Sequence, residues 1–157
     1  MNNFAPNVDL LTFDLYPRVQ DTKEILKLIK GRNLKETFVV YLLDKDAKMD
    51  LNGQIELLRK IFGALKFDLD NDIIHLDATK DGVACFNEVE KLWPIKFFVS
   101  FGVSPKILGL NINVRYYQPI KLGDTVMVFS ECLSEVGQKK EKKLALWKAL
   151  QATFLKD

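Results

Sequence analysis

Hydrophobic residues alternate between helical spacing and continuous runs over the first hundred positions of the chain. Residues 21–30 and 51–65 repeat apolar side chains at the three- and four-residue intervals of an amphipathic helix, and Asp50 is expected to cap the second helix. The segment "GVACFNEVEKLW", residues 82–93, predicts a third helix. Three apolar runs, typical of strands buried on both faces, alternate with these helices: "TFVVYLL" (37–43), "DIIHL" (72–76) and "IKFFVSFG" (95–102).

The pattern changes in the last third of the chain. Residues 111–130 contain two strand-like runs around the turn sequence "KLGD", and residues 138–155 predict a final helix. The buried face of that helix is expected to carry Leu144, Trp147, Leu150 and Phe154. Alternating helices and strands favour a parallel sheet covered on both faces. The predicted fold is therefore α/β, a three-layer α/β/α sandwich with a mostly parallel central sheet, formed by residues 21–157 as one domain.

The first twenty residues form a separate N-terminal segment. They are apolar and aromatic, they are interrupted by prolines, and they show no helical period. The segment either docks onto its own domain, which we favour, or acts as an arm that binds another protein in a groove. The candidates for such an arm are Leu11, Phe13, Leu15 and Tyr16. A secretory signal is not predicted, because a basic region and a long apolar stretch are both missing.

Composition, charge and the absence of known motifs argue against several kinds of partner for this protein. The chain has 157 residues, of which 48% are hydrophobic and 28% charged, and its net charge is +2, too small by itself to indicate a nucleic-acid or membrane partner. Cys85 and Cys132 lie far apart, which favours free thiols in a reducing cytoplasm. No phosphate-binding glycine motif is present, and the calcium-loop pattern fails at Lys48 and Arg59. We therefore predict a cytoplasmic protein without cofactor, metal or membrane contact.

Acidic residues supply the candidate catalytic groups. Asp44 and Asp46 follow the first buried strand, at the sheet edge where α/β proteins bind ligands, and an acid there can act as a base or position a water molecule. The favoured interpretation is that both are solvated loop charges that help to cap the next helix, and the catalytic role is the alternative. His75, the only histidine, shares a strand face with Asp77. We interpret it as structural, with a histidine–aspartate dyad as the alternative.

Four lysines precede the final apolar run: Lys139, Lys140, Lys142 and Lys143. Positive side chains near a helix N-terminus oppose the helix dipole, so such a cluster can indicate an anionic or protein partner. All four are expected to point away from the packed face of the helix, and a solvated exterior is the favoured interpretation. The sequence thus leaves a protein partner and nucleic acid as alternatives for these lysines.

Three stretches resemble the uracil-DNA glycosylase-like fold: "FFVSFGVSPKILGL", "YYQPIKLGDTVMVFSECLSEV" and "LALWKAL". The shared features are a strand that ends at a glycine, a final strand that runs into a segment with serine and leucine, and a terminal helix with Leu-Trp. The resemblance spans roughly residues 35–155 and is to the non-catalytic branch, which includes the psi subunit of DNA polymerase III. Active members carry a GQDPY-type motif with a water-positioning Asp and an HPSPLS-type motif with a His that stabilises the uracil anion.

The chain departs from both catalytic motifs. Asp46 can be matched to the water-positioning Asp, but Ala47 and Lys48 replace the Pro and Tyr that shape the base pocket. Ser130 or Glu131 stands where the His belongs. The Leu-Ser pair of the motif is roughly kept, as Leu133 and Ser134.

The resemblance therefore implies a non-catalytic accessory protein, such as a psi-like subunit in DNA replication that binds replication or clamp-loader proteins. Its binding candidates are the four lysines together with Ser130, Leu133 and Ser134. The alternative is an enzyme, a divergent DNA glycosylase or a small-ligand hydrolase that uses Asp44 or Asp46. A third interpretation is a plain α/β domain that shares only the fold, because a fold does not determine function.

Overall fold

The computed structural model describes residues 36–83, 85–92 and 95–155, and these form an α/β fold around a five-stranded sheet. The strands are β1 (Thr37–Tyr41), β2 (Ile74–Asp77), β3 (Phe97–Phe101), β4 (Ile120–Leu122) and β5 (Thr125–Ser130). Their order in the sheet is β2-β1-β3-β5-β4. Strands β2, β1, β3 and β5 are parallel, and β4 pairs antiparallel with β5. The predicted α/β class and mostly parallel sheet are confirmed.

Helices cover both faces of the sheet. They are α1 (Leu51–Ala64), α2 (Ala78–Asp81), α3 (Phe86–Leu92), α4 (Leu133–Gln138) and α5 (Lys140–Phe154). Successive side chains of a strand point to opposite faces, so β1 contributes to two cores. Val39 and Tyr41 pack with α1, α4 and α5 on one face, while Phe38 and Val40 pack with α3 and the segment after β3 on the other.

Helix α1 begins as the sequence predicts. The Asp50 side chain accepts a hydrogen bond of 2.7 Å from the backbone N–H of Gly53, which satisfies one of the donors that a helix start leaves unpaired. The helix then buries Leu58 and Phe62 against the sheet. The Asp50 cap therefore sets the position at which the loop between β1 and α1 ends.

The region around the last helix differs from the prediction in two respects. Residues 133–138 form α4, which the sequence did not predict, and Lys139 has extended backbone angles that separate α4 from α5. The predicted buried face of α5 is wrong at Leu144, which is 54% exposed. Leu150 is buried as predicted and Trp147 and Phe154 are partly buried against the same core, which also includes Leu146 and Ala149. The sequence offers two overlapping apolar stripes with helical spacing, and packing against α1 and α4 selects the second.

Several predicted features lie outside the described residues. They are the helix over 21–30, the segment 1–20 with Leu11, Phe13, Leu15 and Tyr16, and the end of the third helix at Trp93. Whether the N-terminal segment docks on the domain or binds in trans therefore stays a prediction.

Candidate functional site

Asp44 and Asp46 lie in the loop that follows β1, at the carboxyl edge of the sheet, and both side chains are exposed. The Asp44 carboxylate accepts a 3.0 Å hydrogen bond from the backbone N–H of Asp46. The side chain of Gln54, a fully buried residue of α1, binds the backbone of this loop. Its side-chain oxygen accepts from the N–H of Asp44 at 2.9 Å, and its amide donates to the carbonyls of Asp44 and Met49. Asp44 therefore serves the loop structure.

The three segments that leave β1, β3 and β5 meet at the topological switch point between β1 and β3, the usual position of a ligand crevice. Gly102 has φ +91°, and a Cβ atom placed there would lie 3.1 Å from Cys132 Cβ and 3.5 Å from Leu42 Cβ. The backbone N–H of Gly102 donates to the carbonyl of Ser130, and that of Leu42 donates to the carbonyl of Phe101. These contacts fill the point at which a ligand would enter between the two strands.

A charged cluster, called here the Glu131 network, follows β5. It consists of Tyr117, Glu131, Glu135 and Lys142. Glu131 accepts hydrogen bonds from the Tyr117 hydroxyl at 3.0 Å and from the Lys142 ammonium at 2.8 Å. The same ammonium donates to Glu135 at 3.2 Å. Both oxygens of the Glu131 carboxylate are therefore engaged within the protein.

The contacts of the network fix its charge. The hydrogen bond from Lys142 lowers the pKa of Glu131, with a smaller contribution from the Tyr117 hydroxyl, so Glu131 is ionised at neutral pH. Burial raises the pKa of Tyr117 to about 12, and its hydrogen bond to Glu131 acts in the same direction. The hydrogen bond to Glu131 also raises the pKa of Lys142. Two carboxylates and one ammonium give the network a net negative formal charge.

Tyr117 was not predicted as part of any site. It has φ +64°, a left-handed conformation that costs a residue with a side chain roughly 1–2 kcal/mol, and its N–H donates to the carbonyl of Phe129 at 2.9 Å. This backbone turn brings the phenol to Glu131. No local sequence pattern indicates such a conformation, because it depends on contacts with β5.

The four lysines do not form one surface. The Lys142 side chain is 23% exposed and belongs to the Glu131 network, which contradicts the expectation that all four point away from packed structure. Lys139, Lys140 and Lys143 are exposed. Consecutive helical residues are about 100° apart, so Lys142 and Lys143 necessarily face different surroundings.

The other predicted binding residues lie inside the fold. Ser130 is buried and donates to the carbonyl of Glu131 at 2.8 Å. Leu133 is fully buried in α4. Ser134 is buried beside Cys132, with 3.1 Å between the hydroxyl oxygen and the sulfur. The structure thus brings these three residues together, where they pack inside the segment that joins β5 to α5.

His75 belongs to a different set of contacts from the predicted dyad. Its Nδ1 lies 3.3 Å from the Tyr41 hydroxyl, and its Nε2 lies 3.5 Å from Asp70, whose other oxygen accepts a 2.8 Å bond from Arg59. Burial raises the pKa of Tyr41 to about 12, and the bond from Arg59 lowers that of Asp70. Asp77 shares the strand face with His75, but its carboxylate caps the start of α2.

An apolar groove runs between α1 and α5, and we call it the α1–α5 groove. Its recess has a volume of about 170 Å³, and its lining includes two exposed lysines, Lys60 and Lys143. The apolar lining comes from Leu57, Ile61, Val136, Leu146, Trp147 and Leu150. A wider, shallower part of about 580 Å³ continues along α5 past Leu144 and shares Lys143 and Trp147 with the recess. The sequence analysis did not predict this groove, because its two walls are distant in the chain.

Within the ranges that the structure describes, no group of three or more His, Cys, Asp or Glu residues is placed to hold a metal ion. None of the described helices has the combination of length and apolar character that a membrane span requires.

Comparisons with known proteins give no family assignment. No protein-family model matches the chain, and no curated protein matches it.

Proposed function

We propose that this protein is a non-catalytic accessory protein of the uracil-DNA glycosylase-like fold, which acts by binding another protein as a psi-like subunit of a replication assembly. The observation that carries this proposal is the state of Glu131. The resemblance puts Ser130 or Glu131 at the place of the anion-stabilising His. Ser130 is buried and donates its hydroxyl to the Glu131 carbonyl, and Glu131 is an ionised carboxylate held by Lys142 and Tyr117.

The charge of the Glu131 network argues against base excision at this position. Release of uracil builds up negative charge on the departing base, and a catalytic site stabilises that charge with donors or positive groups. Glu131 would instead repel it, and the ammonium of Lys142 is already shared between Glu131 and Glu135. A site of this charge disfavours the glycosylase transition state.

The loop after β1, also at the carboxyl edge of the sheet, gives further support for a non-catalytic role. Asp46 is exposed in its loop, and the neighbouring crevice is filled where Gly102 meets Leu42 and Cys132. A flipped base needs a snug pocket beside the water-positioning group. The cavities described above are lined mainly by helix side chains, and Asp44 and Asp46 do not line them.

The features that carry the family resemblance lie close together in the fold. β3 is followed by Gly102, which lies beside Cys132 in the segment between β5 and α4. Helix α4 then leads to α5, which carries the Leu146–Trp147 pair. This arrangement supports a structural relationship along the β3–β5–α5 part of the chain. Free thiols at Cys85 and Cys132 support a reducing, cytoplasmic location.

The enzymatic alternative is tested by uracil release from single- and double-stranded DNA that contains uracil. We expect no release above the protein-free control, for the chain as it stands and for Asp46→Asn alike. Release that Asp46→Asn abolishes would overturn the non-catalytic proposal and assign Asp46 the role of positioning water.

The binding role is tested by affinity purification from the native cell, with the full chain and with a version that lacks residues 1–20. We expect the full chain to retain replication or clamp-loader proteins. Loss of these proteins in the shortened version would assign the bridging role to the N-terminal segment. Retention of no replication protein by the full chain would contradict the psi-like assembly role.

A further inference from the structure

We propose that the α1–α5 groove is a docking site for an acidic amphipathic helix of a protein partner. One large apolar side chain of that helix enters the recess, and its carboxylates meet Lys60 and Lys143. This docking site rests on the proposed binding role, for which it supplies the surface and the chemistry of the partner.

The deep recess by itself has the size of one side chain. Sites for small molecules commonly measure about 300–1,000 Å³, whereas a cavity of about 150 Å³ holds a single benzene ring. The recess of about 170 Å³ therefore accommodates one leucine, methionine or phenylalanine side chain. A peptide that presents one such anchor matches this volume.

The lining of the recess favours protein over nucleic acid. Apart from its two lysines, the recess is lined by aliphatic side chains and by Trp147. A nucleobase placed there would leave polar ring atoms without hydrogen-bond partners, which is unfavourable, whereas the burial of an apolar side chain of similar size is favourable. An aliphatic or phenyl group loses no hydrogen bond on entering.

The charge at the rim indicates an acidic partner. In the described part of the chain, no carboxylate lies within ion-pairing distance of Lys60 or Lys143. Lys140 adds a third positive charge at the shallow part, and Glu141 is the one acidic residue that lines it. A surface on which three lysines outnumber one glutamate attracts and orients a negative surface. The neighbouring Lys142 offers no such charge, because two glutamates already bind it.

The length and exposure of the groove favour a helix. The apolar lining on α5 runs from Leu144 to Leu150, about 9 Å along the helix axis or nearly two turns. Leu144 is 54% exposed beside Trp147, so the shallow part presents apolar area that a second anchor would cover. Anchors spaced one turn apart on a single face are how amphipathic helices bind grooves.

The first test uses a synthetic helical peptide with leucines at one-turn spacing and glutamates elsewhere, labelled for fluorescence anisotropy. We expect saturable binding to the full chain, weakened about tenfold in Lys60→Glu/Lys143→Glu and about thirtyfold in Trp147→Ala. The matched control is Lys80→Glu/Lys106→Glu, which reverses two exposed lysines that do not line the groove and should leave affinity unchanged. Circular dichroism of each variant confirms that it is folded.

Each competing occupant gives a distinct result. Equal binding by the groove variant and the control variant, or tighter binding of the same peptide with lysines for glutamates, would overturn the proposal. So would preferential binding of a single-stranded DNA oligomer, or a dimer in sedimentation that Trp147→Ala dissociates. A tenfold gain in peptide affinity on removal of residues 1–20 would assign the groove to the chain's own N-terminal segment.

The second test separates the groove from the proposed function. Affinity purification from the native cell is repeated with Lys60→Glu/Lys143→Glu. If the full chain retains replication proteins and this variant retains them equally, the groove proposal fails and the assembly role stands. If the full chain retains none while the acidic peptide binds as expected, the assembly role fails and the groove proposal stands.

Discussion

The carboxyl edge of the sheet and the α1–α5 groove differ in whether their charged side chains have partners within the protein. At the edge, the carboxylates of Asp44 and Glu131 are bound by groups of the same chain. In the groove, Lys60 and Lys143 have no described counter-charge and border an apolar recess. The edge has the position expected of a catalytic site but is filled, whereas the groove has the properties of a binding surface.

The difference shows that adjacency in sequence says little about shared function. Lys142 and Lys143 are neighbours, yet one completes a network that joins α5 to the end of β5 and the other faces the groove. A lysine held by two carboxylates contributes to the fold, and one without a partner remains available for binding. The four-lysine run is therefore two features, one structural and one exposed.

The largest expected effect is on the free energy of unfolding, and it comes from a comparison of two leucines of α5, one buried and one exposed. Leu146→Ala removes a buried side chain from the wall between groove and core and should lower the free energy of unfolding by about 2–5 kcal/mol. Leu144→Ala should change it by less than about 0.5 kcal/mol, because that side chain is exposed. Urea denaturation measures both. Equal losses would mean that the assigned face of α5 is wrong.

Gly102→Ala tests whether the crevice is filled. The new Cβ meets Cys132 at 3.1 Å, and the residue must keep φ +91°, so we expect a loss of about 2–4 kcal/mol in the free energy of unfolding. Gly123→Ala is the matched control, with φ +59° and no atom within 4 Å of the added Cβ, and should cost about 1 kcal/mol. A Gly102 variant as stable as the control would show that the edge has room for a ligand.

Gln54→Ala tests the loop that carries Asp44. The change removes the partner of the Asp44 N–H and of two carbonyls in a buried position, so the free energy of unfolding should fall by about 2 kcal/mol. Hydrogen exchange should show faster exchange of the Asp44 amide. Gln138→Ala, at an exposed position of α4, should leave both measurements unchanged. Unaltered protection at Asp44 would show that the loop is held by other contacts.

Local sequence was sufficient to predict those elements whose structure depends mainly on their own residues. The strands β1 and β3 consist mostly of apolar residues, and Asp50 provides a side-chain cap at the start of α1, so each could be predicted from a few positions. The β4–β5 turn was predicted for the same reason, since glycine at position 123 permits the positive φ.

The candidate site could be predicted only in part, because its contacts are distant in sequence. Tyr117 reaches Glu131 across fourteen positions, and Gln54 reaches Asp44 across ten. A helical pattern allowed two buried faces for α5, and only its packing on α1 distinguishes them. The groove depends on that choice, so no pattern within one segment could indicate it.

The smallest expected effect concerns the pH dependence of the edge. Glu131 has a lowered pKa in the folded protein, so its contribution to stability is fully present above its unfolded value of 4.5 and is lost as pH falls through the folded value. The contribution should stay at about 1 kcal/mol or below, because the Glu131 side chain is partly exposed and solvent screens its ion pair with Lys142. The difference in unfolding free energy between the natural chain and Glu131→Gln should therefore be largest near neutral pH and shrink below pH 4.5.

Asp70, whose pKa is also lowered, is present in both proteins, so its effect cancels in this difference. A difference that stays constant through the acid range would mean that Lys142 does not stabilise the ionised form of Glu131, and the contrast between edge and groove would lose its electrostatic basis.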